Sequence, residues 1–153
     1  MQGNRGLKGV IIFFAFILIF AVPESMAALK TQRVAVASGI VNVRSGPGLK
    51  TTILWQVEEY HPFVIVKVKD KWYKVRDFEN DTGWIHSSLL KPIKCVITIK
   101  DKCNVRLTPG INSRIVFTVD RGVPFKQVRK KGDWIKIKHV HGNFGWIHKS
   151  LVW

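Results

Sequence analysis

Trp72, Lys74 and Arg76 stand at every second position, and the same order returns as Trp134, Lys136 and Lys138. On an extended strand, residues two apart project to one side. An indole sharing a face with cations can stack on a sugar ring or an acyl chain while the charges hold anionic groups. The bland alternative is also physical, because a tryptophan at the start of a strand can pack beneath a neighbouring loop. Arg44 joins these candidates because it opens the loop Ser45-Gly46-Pro47-Gly48, which could border a ligand groove.

Other side chains with chemical potential give weaker patterns. His86 and His148 recur, yet neither has an evident cysteine or serine nucleophile placed by the sequence, and a residue repeated by duplication can serve the fold alone, so both read as structural or surface histidines. His139-Val140-His141 puts two imidazoles on one strand face, and two ligands make a poor metal site. Cys95 and Cys103 are the chain's two cysteines. A bridge between them is expected if the chain is exported, with free thiols as the alternative, because the Cα atoms must approach within about 7 Å. No catalytic residue, cofactor or metal site is expected.

What positions these residues is a repeat. Asn42-Val43-Arg44 returns as Asn104-Val105-Arg106, and Gly83-Trp84-Ile85-His86 as Gly145-Trp146-Ile147-His148, always 62 positions on. Pro62-Phe63 and Pro124-Phe125, Trp72 and Trp134, and Ser88-Leu89 and Ser150-Leu151 keep the same offset. The folding unit is therefore about sixty residues, a size at which cores are marginal. The join Lys91-Pro92-Ile93-Lys94 lacks a Gly/Ser tract and reads as a stiff spacer, so a fixed tandem is expected. Units are expected at 29–91 and 95–153.

Within a unit, apolar and β-branched runs alternate with turn residues. Strands are expected at Val34–Ala37, Ile40–Val43, Ile53–Val57, Phe63–Val68 and Trp72–Val75, with a 3₁₀ turn at Ser87–Leu90. The fold class is all-β, with each unit a small barrel or sandwich that hides its strand edges. Tyr73 and Val75 should point inward, as should Ile135 and Ile137. Phe63 and Val66, apolar in both copies with Phe125 and Val128, are three apart, and a β-bulge would reconcile them with period two. Trp84, Trp146, Trp55 and Phe117 read as core.

The N-terminus differs in kind. Arg5 and Lys8 precede an apolar run from Val10 to Val22, followed by small residues up to Ala28. That is the layout of a helical signal peptide over 1–28, cleaved after Ala27 or Ala28. Export is expected, to a periplasmic or secreted location, with a membrane association only if the signal stays uncleaved.

The order Val41-Asn42-Val43-Arg44-Ser45-Gly46-Pro47-Gly48, Ile53-Leu54-Trp55, Trp72-Tyr73-Lys74-Val75-Arg76-Asp77 and Gly83-Trp84-Ile85-His86-Ser87-Ser88-Leu89-Leu90 resembles the bacterial SH3 (SH3b) domain. The resemblance covers both copies. It implies two tandem SH3-like barrels of five to six strands, and a module that targets cell wall or peptidoglycan, often beside a hydrolase domain. Copy two departs at Leu107-Thr108, where copy one has Ser45-Gly46, and loss of that glycine is expected to narrow the loop's backbone choices. The acidic-aromatic cluster of a proline-peptide groove is not evident in the sequence.

Net charge is +15. Removing Arg5, Lys8 and Glu24 leaves +14, of which residues 29–94 carry +5 and residues 95–153 carry +9. Arg129-Lys130-Lys131, Lys136 and Lys138 concentrate it in copy two. Such a field draws anionic polymers. The expected partner is a cell-envelope glycan, peptidoglycan first, with an acidic envelope protein or another anionic polymer as the alternative. No specific nucleic acid is expected, and the function implied is non-enzymatic.

Overall fold

The computed structural model describes residues 32–153; the expected signal peptide lies outside the described residues. The first unit is built from β1 (Arg33–Val36), β2 (Val41–Arg44), β3 (Ile53–Val57), β4 (Pro62–Lys69), β5 (Trp72–Arg76), β6 (Thr82–His86) and β7 (Leu90–Lys91). Their order across the sheet is β3-β2-β6-β5-β4-β1-β7. The second unit repeats it with β8 (Cys95–Ile97), β9 (Cys103–Arg106), β10 (Ile115–Val119), β11 (Pro124–Lys131), β12 (Trp134–Lys138) and β13 (Phe144–His148), ordered β10-β9-β13-β12-β11-β8. In place of a seventh strand, Thr98 bridges Val152, and Ile97 and Trp153 exchange backbone bonds of 3.2 and 2.9 Å. The result is two SH3-like barrels in tandem.

Each sheet encloses its own core. In the first, Val34, Val36, Val41, Val43, Phe63, Ile65, Val75 and Ile85 pack together. In the second, Val96, Cys103, Val105, Phe125, Ile135, Ile137 and Ile147 do so. Fully burying one such side chain contributes about 1.5–3 kcal/mol, so a unit this small depends on every one of them. Trp55 and Phe117 pack partly buried against these cores, as expected.

The bulge occurs in both copies, between Ile65 and Lys67 and between Gln127 and Arg129. It does not carry Val66 and Val128 into the core. Phe63 and Ile65 keep strict period two inward, and Val128 is left exposed. Ile40 differs similarly: it lies outside β2 and is 75% exposed.

Trp84 corrects the sequence reading more fundamentally, while Trp146 is buried as read. Gly83 and Ile85 face the barrel interior, where a β-carbon on Gly83 would collide with Val43 Cγ1 and approach the Arg44 carbonyl at 3.2 Å. Alternation therefore sends Trp84 outward, and Gly145 imposes the same on Trp146 against Val105. Trp146 is still only 4% exposed, covered from outside by neighbours that include the Arg129 guanidinium 5.2 Å from its ring.

Turns in the two copies meet one backbone demand with different residues. Tyr60, Asp70 and Asn80 hold positive φ of 71°, 51° and 71°, and their equivalents Gly122, Gly132 and Gly142 hold 85°, 55° and 90°. At these three turns copy two uses glycine for the left-handed residue, while copy one tolerates side chains there; Lys102 of copy two, at φ 52°, is a further non-glycine residue in that region. Between the units, Arg121 pairs with Glu79 at 2.9 Å and lies 5.1 Å over Phe78, and Arg33 stacks 3.8 Å over Trp153.

Candidate functional site

The register of β2, β6, β5 and β4 brings the predicted binding residues onto one outer face. Arg44 lies opposite Trp84, Trp84 opposite Lys74, and Lys74 opposite Lys67. One step along, Trp72 lies between His86 and Lys69, and Arg76 lies opposite Thr82. The second unit repeats the face: Arg106 opposite Trp146, Trp146 opposite Lys136, Lys136 opposite Arg129, and Trp134 between His148 and Lys131. Trp72, Trp84 and Trp134 therefore stand half-buried among cations on these faces, while Trp146 is covered, with Arg129 over its ring. Trp84 and Arg129 were missed as members of these faces, although for Trp84 the Gly-Trp-Ile alternation already held the signal.

Trp72 and Trp134 are half-buried, neither core nor free. Their rings meet His86 and His148 edge-on, at centroid distances of 5.3 and 5.4 Å. Those histidines are held in turn. His86 Nδ1 lies 2.7 Å from Ser88 Oγ and accepts from the Ser88 N–H, capping the 3₁₀ turn Ser87–Leu89. His148 does the same with Ser150 at 2.8 Å. The recurring histidines thus have a structural role that also fixes the tryptophan edges.

Arg44 is more clasp than free ligand. Its Nη1 donates to the Thr51 carbonyl at 2.8 Å, and Arg106 donates to the Ser113 carbonyl at 2.7 Å, each tying down the loop that follows. Arg76 donates to Asn80 Oδ1 at 2.9 Å. In the second unit the lysines frame an added aromatic: Lys136 and Lys138 lie 5.8 and 5.5 Å from the Phe144 ring, which is 47% exposed. Phe144, equivalent to Thr82, makes the second face the more aromatic of the two. A surface of this kind can stack on the apolar faces of sugar rings while its cations pair with carboxylates.

The first loop corrects the expectation about Gly46. Its backbone is not left-handed; what it lacks is room, since a β-carbon there would lie 3.1 Å from Thr51 Cγ2. Copy two changes both residues together. Thr108 stands where Gly46 does, and Ser113, without the methyl, takes the place of Thr51, so the two hydroxyls meet at 2.8 Å.

The expected Cys95–Cys103 bridge is absent, and both thiols are free and buried. Alternation along β8 explains it. Val96 points into the core that holds Cys103, which sends Cys95 to the opposite side of the strand. Cys103 Sγ donates to the Lys100 carbonyl at 3.0 Å. Burial raises both thiols, Cys95 to about 12. The His139 and His141 rings lie 5.0 Å apart and tilted, and desolvation followed by its neighbour His141 lowers His139. Among the described residues, no group of three or more potential ligands could hold a metal.

The model of the bacterial SH3 domain matches residues 37–92 and 100–153. A curated relative is the Bacillus subtilis (strain 168) protein YrvJ, named for an N-acetylmuramoyl-L-alanine amidase; it is 26% identical over 145 residues, covering 88% of this chain and 28% of that protein. The chain thus spans under a third of that relative's length. Solved structures overlapping it include NlpC2 from Trichomonas vaginalis, at 14% identity and TM-score 0.36 over 81% of this chain and 48% of that one. Another is an NlpC/P60 family protein from Bacillus cereus ATCC 10987, at 12% identity and TM-score 0.37 over 79% and 55%. Overlap at that level bears on neither ligand nor activity. With both repeats matched by the same domain model, on the strands that build the two barrels, the chain belongs to the bacterial SH3 domain family.

Proposed function

We propose that this protein binds peptidoglycan without cleaving it, as an exported tandem of bacterial SH3 domains. The observation that carries the reading is the aromatic and basic outer face, built from Trp72, Trp84 and Lys74 in the first unit and from Trp134, Phe144 and Lys136 in the second. Peptidoglycan offers what such a face takes: pyranose rings to stack on and carboxylates to pair with. The relative named for an N-acetylmuramoyl-L-alanine amidase supports a cell-wall setting. Export rests on the N-terminal sequence, and the intact mass of the native protein should begin at Ala28 or Leu29.

The test is co-sedimentation with purified sacculi, using Trp72→Ala, Trp134→Ala and the double variant. Truncating an aromatic at the centre of an interface costs a few kcal/mol of binding. Because both rings are half-buried, melts must accompany the binding assay. Folded variants that still sediment like the parent would move the site elsewhere.

A further inference from the structure

A cavity of about 390 Å³ opens on the first unit beside the seam, away from the basic faces. Three of the six carboxylates between Leu29 and Lys94 line it: Glu58, Asp77 and Glu79. Trp55 and Phe78 supply aromatic walls. His61 lines it as well, only 8% exposed, and its Nε2 is a buried polar atom without a hydrogen-bond partner. In a chain of net charge +15, so local a concentration of acid and an orphaned imidazole call for an explanation.

We propose that this cavity binds a primary amine in its ammonium form, as presented by a peptide. An ammonium has three N–H donors, a positive charge and no acceptor. The imidazole nitrogen, the exposed Glu58 carboxylate and the Trp55 ring answer these, since Asp77 Oδ1 already accepts the Glu79 and Asp81 N–H groups and Glu79 and Phe78 already meet Arg121. Desolvation, the largest influence on His61, holds it at about 4, so at neutral pH it is uncharged and able to accept a proton-bearing N–H. The rim already holds a cation: Arg121 of the second unit donates to Glu79 and lies over Phe78, and its neighbour Gly122 lines the cavity. Tyr60, just before His61, is held at φ 71° where copy two has a glycine, a strained placement of a kind that clusters at ligand sites.

The second unit cannot form the same site. At the equivalent positions it has Asp120, Val123, His139, Val140 and His141 in place of Glu58, His61, Asp77, Phe78 and Glu79. One amine site per chain is therefore expected. The inference is independent of the glycan reading, because its probe is a soluble small molecule and its residues lie off the basic faces.

The experiment titrates the intact chain with Nα-acetyl-lysine amide and with the analogue acetylated also on the ε-amine, following the ring resonances of His61 and Trp55. The amine should shift both in a saturable, single-site manner, and acetylation should weaken binding at least tenfold. His61→Val copies Val123 of the second unit, so the fold has already accepted it, and Glu58→Gln lies at an exposed position. Each should weaken the amine at least fivefold while sacculus sedimentation stays unchanged. Absence of a saturable shift, equal affinity for the acetylated probe, or unchanged affinity in either variant would overturn the proposal.

Discussion

Gly46 and Thr51 face each other so closely across the first loop that the glycine's missing β-carbon is what admits the threonine methyl, 3.1 Å from where that carbon would stand. The Thr51 hydroxyl then donates to the carbonyls of Gly46 and Gly48 at 3.0 and 2.7 Å, drawing the loop shut. In the second unit Thr108 and Ser113 reach a different closure with both residues exchanged. Gly46→Thr alone should destabilise the first unit by about 1 kcal/mol, the scale of a local overpacking. Adding Thr51→Ser should restore most of it, a coupling of roughly 0.5 kcal/mol or more in a double-mutant cycle of denaturant melts. Additive losses would show that the two loops are not alternative solutions to one steric problem.

The thiols give a second prediction. With Cys95 pushed up to about 12 and Cys103 also raised, both mainly by desolvation, neither forms much thiolate near neutral pH. Native protein should therefore alkylate slowly at pH 8 and take up two labels quickly once unfolded. Raising a thiol's folded value also makes the contribution of Cys95 to stability complete below about pH 9 and lost progressively toward pH 12. A native mass two hydrogens short of the reduced form would contradict the free-thiol structure.

His61 predicts the acid side. Its folded value of about 4 lies below the ordinary 6.5, so the unfolded chain takes up this proton first as pH falls. Stability from this group is complete above about pH 6.5 and is lost as pH drops through about 4, a change on the order of 3 kcal/mol. Glu79 pulls the other way and softens the slope. His61→Val should flatten the stability profile between pH 4 and 6.5, read by urea melts at each pH. An unchanged slope would mean that the imidazole is solvated.

The repeat, the bulges and the inward placement of Tyr73, Val75, Ile135 and Ile137 were legible from side-chain periodicity, because period two is a local property of one strand. So was the shared face of Trp72, Lys74 and Arg76. Trp84 was read as core because a large aromatic invites burial, and the decisive fact, that Gly83 has no room for a β-carbon, belongs to a neighbouring strand. The Cys95–Cys103 pairing failed for a related reason: spacing along the chain gave proximity, while the direction of each side chain is set by its strand's pairing. Glu58 and His61 share the turn between β3 and β4, and Asp77 follows β5, distant in sequence. Only folding gathers them, and the signal within reach was that copy two replaces His61 with Val123 and Asp77 with His139.

Peptidoglycan recognition by the two faces is tested most directly by sedimenting the intact chain with purified sacculi as salt is raised. At 0.5 M salt, screening shortens to a few ångströms and removes most of the attraction contributed by exposed charge alone, while stacking of indoles on sugar rings persists. The account predicts that most of the protein still pellets with sacculi at 0.5 M salt, and that Trp72→Ala combined with Trp134→Ala, shown to be folded by its melt, stays in the supernatant. Loss of the parent protein from the pellet at that salt would reduce the interaction to charge and contradict the reading.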